Sequence, residues 1–242
     1  SLIKDQLRPI PKIKALIFMK GLSERVPGKN IRLLGKKPLI MWSIDMAKAM
    51  TGICDILIST DDEVIADIAL SAGVLVPWLR PEHLSDDYST GPDVALHALN
   101  WYENKNGTVD GLLLFQPTSP FRSYEAVMRG LEMFKKNEAH SIIGVSLADP
   151  HPLWCFTVSE QEMQPFIDVG GLQLRSQDLP PTYAVNGAFY LIKPSVLRAK
   201  NSFYNEGMKA LIMDQPEESI DIDTEWDWKM AEAALSLIDE VK

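Results

Sequence analysis

Residues 14–30 read KALIFMKGLSERVPGKN, and the stretch changes character in the middle. Ala15-Leu16-Ile17-Phe18 is a short apolar run of the kind that forms a buried strand. After it come two glycines, a proline, Lys20, Arg25 and Lys29. In open α/β sheets, ligands bind beyond the carboxyl ends of the strands, so a basic loop directly after a first strand is well placed. Backbone amides freed by Gly21 and Gly28 suit phosphate oxygens, and the three cations suit their charge. A solvated surface loop accounts for the same letters, and both readings stay open at this point. The loop is not a Walker A motif and does not match GxGxxG.

Working outward, strand and helix patterns alternate. Residues 14–19 read as a strand, 38–47 as a helix with proline near its start, and 53–59 as a second strand. STDDEVIADIALSAG, residues 59–73, reads as a helix with Thr60 or Asp61 as N-cap and Gly73 at its end. Val74-Leu75-Val76-Pro77 reads as a short strand, 93–102 as a helix, 111–116 as a buried strand, 124–137 as a helix and 141–145 as a strand. This alternation predicts a mostly parallel sheet with helices on both faces. Between Pro150 and Pro181 short glycine-, proline- and aromatic-containing segments suggest an inserted β region or arm, placed at about 150–183. Residues 184–197 return to strand and helix, and 224–241 read as a closing helix. A single domain over 1–242 with a protruding arm is the simplest description.

The 242 residues suffice for a large core, and 46% of them are hydrophobic. A net charge of −9 without a long basic run argues against nucleic acid and anionic membranes as partners. Cys54 and Cys155 form neither a disulfide framework nor a zinc pattern, which predicts a reduced, cytoplasmic setting. The opening residues SLIKDQLRPIPKIK do not read as a signal peptide. No apolar run reaches the ~20 residues of a membrane helix.

ESIDIDTEWDW, residues 218–228, is the second informative stretch. On an extended strand Ile220 and Ile222 point one way and Asp221 and Asp223 the other, ~6.6 Å apart along the backbone. Two such carboxylates suit a divalent ion. Buried without one, they repel. The alternative is a solvated strand end in which Asp223 or Thr224 caps the last helix. Carboxylates together with a Lys/Arg loop are what Mg²⁺-nucleotide chemistry requires.

LFQPTSPFR, residues 114–122, places Gln116 at a strand end, where its amide suits a base or sugar edge. A turn and N-cap explain Thr118, Ser119 and Arg122 without function. In WLRPEHLSDDYSTG, residues 78–91, Arg80 suits a phosphate or carboxylate, or else pairs with Glu82 or Asp86. RSQDLPPTYAVNGAFY, residues 175–190, holds Gln177 and Asn186, and Asn186-Gly187 also reads as a turn. Trp42, Trp101 and Trp226 sit in helical patterns and read as core. His97 and His140 read as structural or exposed. No GxSxG or Cys/His arrangement points to acyl chemistry.

The serial order of these motifs resembles the acylneuraminate cytidylyltransferases, the CMP-sialic acid synthetases. The motifs are the G-x-S-x-R-x-P-G-K-N loop, STDD, LRP, QPTSP, RSQDLP, NGAFY and SIDIDTE, and the similarity runs from about residue 13 to 236. The resemblance implies a Rossmann-like nucleotidyltransferase fold and a homodimer whose inserted β arm reaches the neighbour's sugar site. It implies an enzyme that uses Mg²⁺ to join CTP to a nine-carbon 2-keto sugar acid for surface glycan synthesis, releasing pyrophosphate. The variants within reach are legionaminic, pseudaminic or 3-deoxy-octulosonic acid as the sugar, and a nucleotide-binding homologue without turnover. It assigns catalytic charge to Lys20, Lys29, Asp221 and Asp223, with the metal on the two aspartates. Substrate contacts fall on Gly21, Ser23, Arg25, Asn30, Arg80, Gln116, Gln177 and Asn186. Lys20 and Glu24 stand where the family loop has arginine and lysine. Gly91, Trp154 and Ser176 stand where serine, lysine and arginine are common.

Overall fold

The computed structural model describes residues 13–18, 26, 28–85, 89–136 and 139–240. In chain order the elements are β1 (Ile13–Phe18), β2 (Leu33–Leu34), β3 (Lys37–Pro38), α1 (Leu39–Ala49), β4 (Ile53–Ser59), α2 (Glu63–Ser71), α3 (Gly91–Asn106), β5 (Gly111–Phe115), α4 (Tyr124–Lys136), β6 (Ser141–Leu147), β7 (Phe156–Ser159), β8 (Glu162–Pro165), β9 (Tyr183–Ile192), α5 (Pro194–Lys200), β10 (Lys209–Ile212) and α6 (Glu225–Glu240). Six strands form one sheet in the order β10-β6-β9-β5-β1-β4. β1 runs parallel to β4 and β5, and β10 parallel to β6. β9 runs antiparallel between β5 and β6, so the expected mostly parallel sheet carries one reversed strand near its centre.

Alternation along the strands sorts the core into two layers. Leu113, Phe115, Ile142, Phe189 and Leu191 pack with residues of α1, α2 and α4. Leu112, Leu114, Ile143, Tyr190 and Ile192 pack with residues of α3 and α5. Helices therefore cover both faces. A third apolar cluster joins Val26, Leu34 and Leu39 to Ile222, Trp228 and Ala231, uniting the first crossover with the last helix.

Several local expectations are corrected. Asp62, not Thr60 or Asp61, caps α2, its Oδ1 accepting the Val64 and Ile65 amides at 2.8 and 3.1 Å. Residues 74–77 make no strand; only isolated bridges link Leu75 to Leu57 and Leu79 to Thr60. α3 starts earlier and ends later than expected, because Thr90 and Asp93 form a reciprocal capping box. Trp226 is 73% exposed, whereas its neighbour Trp228 is fully buried. Asn186-Gly187 lies inside β9 rather than in a turn. Within residues 150–183, β7 and β8 form a hairpin turned by Glu160 and Gln161 with positive φ. The hairpin and the segment after it expose Val158, Met163, Phe166 and Ile167.

Gly130 shows how tightly α4 sits on the sheet: a Cβ there would lie 2.5 Å from Phe189 Cζ and 3.0 Å from Leu211 Cδ2. Alanine gains about 1 kcal/mol of helix propensity over glycine. Overpacking a filled core costs ~1–3 kcal/mol. Gly130→Ala should therefore lose stability on balance, read as a lower denaturant midpoint at unchanged slope.

Candidate active site

At the carboxyl ends of the parallel strands lies a cavity of about 560 Å³. Lys29, Asn30, Arg80, Gln116, Asp221 and Asp223 all line it. The sequence-predicted residues Lys20, Gly21, Ser23 and Arg25 lie outside the described residues, as does Glu24.

Lys29 meets the acidic segment directly, through Ile222 and Asp223. The Lys29 ammonium donates to the Ile222 carbonyl at 3.0 Å and stands 3.6 Å from Asp223 Oδ1. Residues 220–224 form no strand, contrary to the sequence expectation. Their one cross-chain backbone bond among the described residues runs from the Ile222 amide to the Thr118 carbonyl at 2.8 Å. The alternation survives without a ladder: Ile222 is fully buried while Asp221 and Asp223 are exposed on the other side. The cap is separate from the pair. Thr224 caps α6, and the Asp227 carboxylate accepts the Asp223 and Thr224 amides at 3.0 and 2.7 Å. This box fixes the backbone on which Asp223 sits.

Asp221 is open to the cavity but recessed in its wall, so protein atoms replace much of its bulk water. This desolvation is the main influence raising its pKa. A hydrogen bond from Thr118 opposes it, the Asp223 charge adds to it, and the Lys29 charge opposes it. Among the described residues no group of three or more His, Cys, Asp or Glu gathers as a metal cage. Mg²⁺ needs only one or two carboxylates when phosphates and water complete its shell. Two adjacent carboxylates on a cavity wall, one of them held against its own desolvation, fit that ion.

Arg80 is buried; of its two expected partners Asp86 lies outside the described residues, and among the described residues Asp61 takes the place of Glu82. Its Nη2 meets Asp61 Oδ1 at 3.1 Å, Nη1 donates to the Ser59 carbonyl at 3.3 Å and Nε to Ser85 Oγ at 3.2 Å. Burial lowers its pKa and Asp61 opposes this, so the guanidinium is fixed in orientation by groups at the end of β4. Among the described residues these three partners engage three of its five N–H groups.

Gln116 lies against Gly187. A Cβ at Gly187 would be 2.6 Å from Gln116 Oε1 and 2.8 Å from Ser119 Oγ, and the glycine has φ of +75°. Only glycine lets β9 pass beneath the glutamine side chain.

Two expected contacts are placed elsewhere. Asn186 is buried and outside the cavity lining; its amide donates to Ser146 Oγ at 3.0 Å and accepts the Ala188 amide at 3.0 Å, bridging the irregular register between β6 and β9. It is a structural amide rather than an open contact. Gln177 sits exposed on a single turn, Ser176–Asp178, and does not line the cavity. Conversely, Tyr190, Phe203 and Tyr204 form an aromatic wall that sequence reasoning missed. Tyr190 lay within the quoted NGAFY, but Phe203 and Tyr204 come from a loop without periodicity or motif. Burial raises the Tyr190 pKa, helped by a hydrogen bond with Tyr204 and by the Asp221 charge.

A family model described as cytidylyltransferase matches residues 15–159. The CMP-N,N'-diacetyllegionaminic acid synthase of Legionella pneumophila is 36% identical over 233 residues, covering 95% of this chain and 98% of that protein. The N-acylneuraminate cytidylyltransferase of Streptococcus agalactiae is 32% identical over 92% of this chain, which spans about half (52%) of that protein. The solved CMP:2-keto-3-deoxy-manno-octonic acid synthetase, complexed with CTP, superposes with a TM-score of 0.69 at 15% identity over 93% of this chain and 99% of that one, a likeness of fold. The sheet and its helices thus have the Rossmann-like nucleotidyltransferase fold, and the chain belongs to the cytidylyltransferase family.

Proposed function

We propose that the protein transfers CMP from CTP to a sialic-acid-like, nine-carbon 2-keto sugar acid and releases pyrophosphate. The observation that carries this reading is the meeting of Lys29 with Asp221 and Asp223 in a cavity that also holds Arg80 and Gln116. The Legionella pneumophila relative, matched over 98% of its length, is named a CMP-N,N'-diacetyllegionaminic acid synthase, which favours a diacylated sugar of the legionaminic type within that class.

In this reading the anomeric hydroxyl of the sugar attacks the α-phosphorus of CTP in line. Asp221 and Asp223 would hold Mg²⁺, which when bound supplies Lewis-acid charge at the phosphate oxygens. Lys29 keeps its ammonium beside the acidic pair and, with Lys20 and Arg25 of the same loop, neutralises the departing pyrophosphate. Arg80, pre-set by Asp61 and Ser59, and Gln116, laid on Gly187, orient the nucleotide and the sugar. No nucleophilic side chain is required, because the work is positioning and charge stabilisation. The exposed apolar face of the β7–β8 hairpin supports a role for residues 150–183 as an arm between two copies of the chain. In such a homodimer Gln177 would serve the neighbour's site. A cytoplasmic setting suits free cysteines, and no described helix is long and apolar enough to cross a membrane.

Incubation with CTP, Mg²⁺ and a panel of nonulosonic acids should release pyrophosphate, with the CMP-sugar identified by mass; silence across the panel would remove the reading. Asp223→Ala should cut turnover by ~10²–10³-fold with an unchanged circular-dichroism spectrum; a near-normal rate would end the metal role of this residue. Gly187→Ala should displace the Gln116 side chain and raise the KM for the sugar, and an unaltered KM would show that Gln116 does not touch it.

Asp221 gives a prediction with a sign. Its pKa is raised on folding, so the ionised form costs stability above the folded pKa, and that cost disappears as pH falls through it. Asp221→Asn should therefore melt no lower than the wild type at neutral pH without divalent cation, while losing the Mg²⁺-dependent rise in Tm in the presence of CTP. Melting well below the wild type would show that the carboxylate is instead a structural anchor.

A further inference from the structure

Arg122, from QPTSPFR, is the charged group that the proposed chemistry leaves unused. It is 6% exposed and stacks over the Phe115 ring at 4.4 Å. Its Nε donates to the Ala188 carbonyl at 2.6 Å, Nη1 to the Ser43 hydroxyl at 2.8 Å and Nη2 to the Gln116 carbonyl at 2.7 Å. All three partners are neutral. Among the described residues no carboxylate forms an ion pair with it. Glu218, also buried, spends its oxygens on the Ser123 and Gln215 amides at 2.9 and 3.1 Å.

A buried cation without an acid is expensive, and proteins normally pair it. Burial alone accordingly pulls the Arg122 pKa down, to about 9, which still leaves it charged at neutral pH. The three acceptors explain where the guanidinium points, but a neutral donor could serve each of them. What they do not supply is a counter-charge. The guanidinium lies one backbone carbonyl behind Gln116, a residue of the cavity wall. Field from a buried charge is screened far less by salt than that of a surface lysine.

We infer that Arg122 is a positioning residue to which no described carboxylate supplies a counter-ion: it fixes the Gln116 carbonyl to Ala188 and Ser43, and its charge holds an anionic ligand, the triphosphate of CTP, in the cavity. This rests on the CTP reading above and deepens it. The chain carries a net charge of −9, which opposes anion binding, so a cation that no described acid pairs with is worth its burial.

Ser43 allows the charge to be cancelled while Arg122 stays in place. Ser43→Asp and Ser43→Asn are equal in size and differ in charge. Calorimetric titration with CTP and Mg²⁺ should give a Kd about tenfold weaker for Ser43→Asp than for Ser43→Asn, the scale of one unit charge acting through a partly screened interior. Without ligand the ranking should invert: Ser43→Asp should melt higher than Ser43→Asn, because it gives the guanidinium its acid. A second pair tests the same charge from the other side. Arg122→Lys should bind CTP near the wild-type level despite a lower Tm, and Arg122→Gln about tenfold more weakly. Equal CTP affinity of the two Ser43 variants, or equal losses in Arg122→Lys and Arg122→Gln, would make Arg122 a purely structural clamp and overturn the inference. Absence of CTP binding by the wild type would instead sink the nucleotide reading itself.

Discussion

One ammonium ties the two ends of the chain together. Lys29 Nζ reaches across 193 positions to the Ile222 carbonyl and stands against Asp223. Around it the same two segments are joined by Arg32, which meets both Glu225 oxygens at 2.7 and 2.9 Å and lies 4.2 Å over the Trp228 ring. Below them Leu34, Leu39, Ile222 and Trp228 form a dry floor. The polar contacts alone would be weak, since exposed ion pairs contribute ~0–1 kcal/mol. The apolar floor supplies the stability, and the cations set the register of the acidic segment on it. Without this junction the cavity would have cations on one side and no carboxylates on the other.

The layout has an electrostatic logic. The chain is acidic as a whole, yet its cavity gathers Lys29 and Arg80, with Arg122 behind the wall. Arg80 is neutralised by Asp61, and Lys29 is shared with Asp223, so neither is a free cation before a ligand arrives. Arg80, held by Asp61 and the Ser59 carbonyl, acts through direction more than charge, whereas Lys29 is held on one carboxylate and one carbonyl.

Much of this was legible in the letters because it depends on local periodicity. Apolar runs of strand length, capped helices and the Asp-Ile-Asp alternation are written within a few residues of each other, and the elements fall close to where the patterns place them. The alternation at 220–223 held even though no strand formed, because a buried isoleucine and one hydrogen bond to Thr118 suffice to orient it. What stayed illegible is tertiary. The reversal of β9 cannot be seen in its own sequence, which reads as a strand in either direction. Asn186 looked like a contact and is a buried brace, since nothing local announces the register irregularity it spans. Trp226 and Trp228 lie two apart on one helix, and which of them is buried depends on the distant Leu34 floor. Phe203 and Tyr204 reach the cavity through the packing of their loop against β9, for which no motif exists.

The 193-residue span of the Lys29 contact has a kinetic side. Contacts between remote parts of a chain must wait for loop closure, and folds dominated by them form slowly. β9 takes its place between β5 and β6, and the segment around Ile222 rests on an apolar floor that it shares with the first crossover. The cavity wall formed by Lys29, Asp221 and Asp223 joins segments that lie far apart along the chain, so this wall exists only in the finished fold.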